Sequence, residues 1–394
     1  MSNTNSKRNI NLRGLTLTIM AMSVLQMSTN AISSILAAIA GTFPDASVTQ
    51  VQFLMSFPFF FVVTVSLIVG FLGERLNKKI TAAAGLALGG ISGLGAFFMH
   101  GSLTVLYVWS ALLGIGIGLV VPICTSLIAI YYDGTARDNM YGYQSSASNL
   151  GSIIMTFLGG LLASIAWHMT YLVYLLVIPG LLLTLKYVPG KEMKPAGQAE
   201  RAAGNEAGRL TPGVFLFCGI AMLHMLLFFI GPTNIAMLVA ERGIGSEMEA
   251  GTATSLILVT GMLGGLVFGR LAARIGKHTI TLGYVLLAIG FVIINNAHSM
   301  LPLYIGALIA GLSNAWIMPQ CMGSAVRLAP AKATLVNSLF FSMANIGTFL
   351  APLLTGLAAA ISKSNAVGPR FALAAILSAM GACVFVVVFG RKKE

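Results

Sequence analysis

Few side chains in this sequence could do chemistry, and most of those are amides. Gln26, Asn30, Asn149, Asn314, Gln320 and Asn345 stand inside long apolar stretches, joined there by one imidazole, His224, and by the indole of Trp316. Amides and an indole can hold a solute through hydrogen bonds and an apolar platform, but they do not supply a nucleophile with its base. His224 alone could take or release a proton near neutral pH, which makes it the one candidate for coupling to protons. The 11 carboxylates all fall in loops, in tails or at the ends of apolar stretches. Cys124, Cys218, Cys321 and Cys383 lie singly in apolar sequence, with no zinc-ligand spacing and no disulfide framework. The GIGIG run at Gly114, Gly116 and Gly118 follows no strand and reads as close helix packing, not a phosphate loop. The chemistry implied is binding without catalysis, and neither an enzyme nor a cofactor or metal is expected.

Polar groups at these positions need elements that keep them away from hydrocarbon. Ser23, Gln26, Asn30 and Ser33 recur at steps of three and four, so a helix would carry them on one face, turned toward a bundle interior or a watery cavity. The 394 residues are 57% hydrophobic and only 9% charged, a balance that excludes a soluble domain. A span needs about 20 apolar residues, and twelve such segments can be placed. The expected plan is an all-α membrane protein: a tail at 1–13, six helices in 14–188, a polar linker at 189–211, six helices in 212–390 and a tail at 391–394. The A-x-A triplet at Ala38–Ala40 follows an apolar stretch too long for a signal peptide, so the first span is expected to be retained.

The net charge of +12 does not point to nucleic acid here, because its distribution follows a membrane topology. With the first tail inside, every Lys and Arg except Arg242, Lys363 and Arg370 falls on the cytoplasmic side. Both termini and the linker are therefore expected in the cytoplasm, at a cytoplasmic membrane, with the bilayer as partner. Arg370 is placed outside by the same assignment, so the interior is expected to hold neither a buried cation nor an acid.

The two halves repeat one another. Pro122 and Cys124 of VVPICTSL match Pro319 and Cys321 of IMPQCMGS; Asn149, Gly151 and Gly160 match Asn345, Gly347 and Gly356; GFLGERLNKK from Gly70 matches GRLAARIGKH from Gly269. All three pairs share an offset of about 200 residues, the mark of a parallel duplication with a binding site between the repeats. In the seventh span, Gly231 and Pro232 suggest a local unwinding beside the pathway.

With those motifs in place, the chain resembles the major facilitator superfamily over essentially its whole length. That family's loop between its second and third spans reads GxLxDRxGR(K/R), and Gly70, Leu72, Arg75, Lys78 and Lys79 fit it, with Glu74 in place of Asp. The resemblance implies two six-helix bundles and a latch formed by Gly70, Glu74, Arg75 and Lys78, with Gly269 and Arg274 in the copy. Two family signatures lack their working residues. Ser110 and Leu113 stand where the fourth-span pattern has Arg and Gln, and Met155 and Thr156 where the antiporter pattern has Gly-Pro. These departures count against proton-coupled multidrug efflux, the first alternative; a non-transporting sensor is the second. The expectation is a monomeric secondary or facilitative transporter of a small organic anion, zwitterion or neutral polar metabolite. Its solute would meet Gln26, Asn30, Asn149, His224, Asn314, Trp316, Gln320 and Asn345.

Overall fold

The computed structural model describes residues 11–72, 76–132, 134–190, 210–329, 333–364 and 366–390. Most of the polar linker and both Glu74 and Arg75 of the implied latch lie outside them. Every regular element among the described residues is a helix. In chain order they are α1 (Leu12–Thr42), α2 (Val48–Leu72), α3 (Lys78–Phe98), α4 (Leu103–Tyr131), α5 (Gly134–Ala163) and α6 (Trp167–Tyr187). The second set is α7 (Pro212–Arg242), α8 (Glu247–Ile275), α9 (His278–Asn295), α10 (Met300–Leu328), α11 (Ala333–Ser362) and α12 (Gly368–Gly390). Eleven helices among the described residues are long and apolar enough to cross a membrane. The twelfth of the expected set, α8, is 29 residues long, with no charged residue across 250–269.

Consecutive helices run in opposite directions, so α1 begins and α12 ends on one face of the molecule, here the near face; the opposite face is the far face. Side-chain caps start several helices. Asn77 accepts from the Ile80 N–H at 3.2 Å ahead of α3, and Ser246 and Glu249 form a capping box ahead of α8. The GIGIG run packs as its spacing implies. Gly114 lies against the Pro58 backbone of α2, Gly116 against Gly85 of α3, and Gly118 against Val62 and Val65, so α4 meets two neighbours where a side chain would hold them apart.

The two bundles meet along two seams, α2 against α11 and α5 against α8. Gly160 of α5 faces Gly251 of α8 with nothing between their backbones, and Phe349 of α11 packs edge-on against Phe53 at 5.7 Å between centroids. Three helices depart from regular geometry: α6 winds as 3₁₀ turns over Trp167–Val177, and α1 and α7 depart from it in ways the sequence did not suggest. The middle of α1, Val24–Ile35, winds as tight 3₁₀ turns with a kink at Met27 (φ −113°, ψ 17°). The Gly231–Pro232 pair of α7 does not unwind the chain. A junction at Phe229 (φ −70°, ψ −11°) joins Pro212–Phe228 to Ile230–Arg242, and the ladder crosses it: the Phe229 N–H donates to Met225 O at 3.0 Å and the Thr233 N–H to Phe229 O at 3.2 Å. Pro232 falls in the first turn of the second segment, where its missing N–H is not required.

Candidate functional site

Helices α1, α5, α7, α10 and α11 carry the eight polar and aromatic positions singled out from the sequence. Gln26, Asn149, Asn314, Trp316 and Asn345 are half-buried; Asn30, His224 and Gln320 are buried. One pair is brought together directly: His224 Nε2 lies 3.3 Å from Asn314 Oδ1, joining α7 to α10 inside the second bundle. The imidazole is otherwise enclosed by the rings of Phe228 and Tyr284. The others bond elsewhere. Asn30 donates to Ser152 Oγ of α5 at 3.0 Å, Asn149 to Ser145 O of its own helix at 3.0 Å, and Trp316 Nε1 to Gly264 O of α8 at 3.2 Å. Gln26 donates to Ser23 Oγ at 3.4 Å and Gln320 to Ser324 Oγ at 3.3 Å. Asn30 thus ties two helices of one bundle, while the half-buried amides keep polar atoms available.

Where a solute could reach these groups follows from the exposure of α1 and α7. Along α1, Arg13, Leu17 and Met27 are exposed and Met20 and Val24 half-exposed, one stripe at helical spacing that ends at Met27, 44% exposed; every residue across 28–36 is buried. In α7, Phe215 and Leu216 are exposed and Gly219, Met222 and Leu226 half-exposed, after which 227–239 is buried without a break. Both related helices are open on their near half and sealed on their far half. Every hydrogen bond and ring contact between the bundles among the described residues lies at mid-depth or beyond, on the far side.

At that seal lies a polar cluster that the sequence reading missed. Gln52 of α2 sends its amide across the seam: Nε2 donates to Asn234 Oδ1 of α7 at 2.5 Å, and Oε1 accepts from Thr355 Oγ1 of α11 at 2.6 Å. Arg370 of α12 donates through Nη1 to the same Asn234 oxygen at 3.2 Å. Arg370 is 1% exposed, which corrects the expectation that the interior holds no buried cation. It sits in the first turns of its helix, but its long side chain runs inward to α7. One signal was available: Asn234 and Gln52 are amides in apolar spans, as were those singled out.

Of the implied latch, Lys78 is nearly buried at the start of α3 and Arg274 is exposed in the last turn of α8, where a cation complements the helix dipole.

Comparison with known proteins agrees with this architecture. No curated protein sequence matches the chain. Among solved structures, a POT family transporter in complex with 5-aminolevulinic acid superposes with a TM-score of 0.77 at 14% identity, covering 97% of each chain. The nucleoside transporter NupG gives 0.75 at 15% identity over 94% of this chain and 99% of its own. A bacterial homologue of the human lysosomal transporter Spinster, in an inward-facing and unoccupied conformation, gives 0.72 at 17% identity over 95% of this chain and 94% of its own. At such identities the likeness is one of fold. The sequence model of the Major Facilitator Superfamily matches residues 17–236 and again 216–394, so that the two matches together run from α1 to the end of the chain. The chain belongs to the major facilitator superfamily.

Proposed function

We propose that this protein carries a small organic solute across the cytoplasmic membrane by alternating access, and that the state described has its cavity open at the near face. The charge distribution assigns that face to the cytoplasm, with both termini, and the duplicated bundle needs no second copy to form a pathway. The observation that carries the reading is the paired ending of exposure, at Met27 in α1 and Leu226 in α7. Two related helices bared to the same depth from one side describe a cavity that stops at a seal.

Within it, Gln26, Asn149, Asn314 and Asn345 present amides to the solute and Trp316 an apolar platform; Asn30, His224 and Gln320, all buried, hold that set in place. Amides without a carboxylate at depth suit an organic anion, a zwitterion or a neutral polar metabolite better than a lipophilic cation. The POT relative bound to 5-aminolevulinic acid shows that this fold accommodates a solute of that kind. The near-face latch would use Gly70, Glu74, Arg75 and Lys78 with Gly269 and Arg274.

The test is a thermal melt of the purified protein with organic acids, amino acids, sugars and cationic dyes, followed by uptake of whatever stabilises it into proteoliposomes. A ligand of the folded state raises the melting temperature by mass action. Stabilisation and uptake of an acid, zwitterion or sugar, weakened by alanine at Asn149, Asn314 or Asn345, is the expected result. Stabilisation by the dyes alone would replace this reading with drug efflux.

A further inference from the structure

Tyr171 of α6 is 5% exposed, and no described residue hydrogen-bonds to its hydroxyl. Tyr174 and Tyr284, buried at least as deeply, are both paired, donating to Ser28 O at 3.3 Å and to Ile220 O at 3.1 Å. A phenol taken out of water without a partner costs free energy, so the surroundings of Tyr171 should show what meets it. They show a cavity. It lies in the far half of the first bundle, where α1, α2, α3, α4 and α6 converge, and Tyr171 and Tyr174 line it together with Thr29, Ser92, Ser110 and Leu113. Thr29 belongs to the buried stretch of α1 beyond Met27, so this space lies past the end of the near-side cavity.

Size and lining select the occupant. About 10 Å³ is open to the centre of a water-sized sphere, the room of one water molecule and too little for an organic solute. No charged residue lines the cavity, so nothing there selects an ion over a neutral molecule. The lining does offer the two to four polar partners that a buried water requires. Tyr171 can donate; Ser92 Oγ, whose own hydrogen goes to Gly89 O at 2.8 Å, can accept; Thr29 and Ser110 can do either. Ser110 and Leu113 are also the two positions at which the chain departs from its family's fourth-span pattern. A serine at 110 leaves open the space that a longer side chain would take.

We propose that this cavity is the site of one ordered water, which accepts from the Tyr171 hydroxyl and donates to Ser92 Oγ and Ser110 Oγ, with Thr29 as its fourth partner. The site joins α6 to α3, α4 and α1. With it, two tyrosines of α6 hold the 3₁₀ stretch Val24–Ile35 of α1, which carries Gln26 and Asn30: Tyr174 directly, through Ser28 O, and Tyr171 through the water. This does not depend on what the protein carries.

The sign of one stability change separates a hydrated hydroxyl from a stranded one. Tyr171→Phe deletes the hydroxyl and keeps the ring. If water holds the hydroxyl, the variant loses that bond and should melt about 2 °C lower or more; a hydroxyl without a partner would instead leave its burial cost behind, and the variant would melt higher. Ser110→Ala should also melt lower, and the double variant should lose no more than the larger single loss, because both changes act on the same water. Labelling of the native chain gives a reading that requires no variant to fold. Hydroxyl radicals made from a bound water by a millisecond X-ray pulse attack the side chains beside it. Tyr171 should therefore be oxidised at least five-fold faster than Tyr284, which is 0% exposed and bonded to a backbone carbonyl. A higher melting temperature for Tyr171→Phe, losses that add in the double variant, or equal oxidation of Tyr171 and Tyr284 overturns the water site.

Discussion

One oxygen, Oδ1 of Asn234, accepts from Gln52 and from Arg370, so the far seal depends on it more than on any other polar atom described. Removing it takes one acceptor from each of two buried donors, one of them on a cation, and a hydrogen bond to a charged group contributes about 1.5–3 kcal/mol. Asn234→Ala should therefore lower the melting temperature by several degrees, measured with a thiol-reactive dye in detergent. Asn234→Asp keeps the acceptor and gives Arg370 an opposite charge, so it should hold or raise the melting temperature. A drop as large in the aspartate variant would mean that the site needs shape alone. Residues at this scale were unevenly legible. The amides along α1 and α10 stood out because a hydrogen-bonding group inside an apolar run is conspicuous. Arg370 did not, since hydropathy places the end of a span but cannot say that a guanidinium at that end reaches back toward α7.

Helices show the same mixture, for a clearer reason. In α4 the spacing of Gly114, Gly116 and Gly118 carried its meaning on the surface, because glycine inside a span has little use beyond close approach. A side chain at Gly116 would meet the Gly85 carbonyl of α3 at 2.6 Å and the Gly89 nitrogen at 3.2 Å, both backbone atoms that cannot move aside. Gly116→Leu should accordingly force α3 from α4 and abolish the monodisperse peak in size-exclusion chromatography, whereas Gly101→Leu, with open space around it, should leave the peak intact. Helices α1 and α7 reverse the usual signals. The Gly-Pro pair of α7 leaves a continuous ladder, while the 3₁₀ stretch of α1, Val24–Ile35, contains neither glycine nor proline. That segment packs on α5 and α6, contacts that no local pattern records.

For the whole molecule, the duplication foretold the two-bundle plan but named no seam: each seam joins a helix to the repeat mate of the other seam's helix, α2 to α11 and α5 to α8. What it could not foretell is the state, because two arrangements of one sequence about the same seams differ by only a few kcal/mol, less than any pattern of residue types resolves. The far seal is where that balance can be tipped. Gly160 and Gly251 let α5 and α8 touch backbone to backbone: a Cβ on Gly160 would lie 3.1 Å from Glu247 O and 3.3 Å from the Cα atoms of Gly251 and Met248. Gly160→Leu therefore wedges the bundles apart at the far face without touching Asn149, Asn314 or Asn345. Ser34 is buried in the seam against Gly251, so in a chain carrying Ser34→Cys and Cys383→Ser the wedge should raise the alkylation rate at least ten-fold. It should also slow net transport, because a cycle that cannot close its far face cannot return through the state described here. If alkylation rises while transport is unchanged, the closed far face is not on the transport cycle. If neither changes, the α5–α8 contact is not part of the seal, and the α2–α11 seam with its Gln52 cluster and aromatic pairs holds it closed.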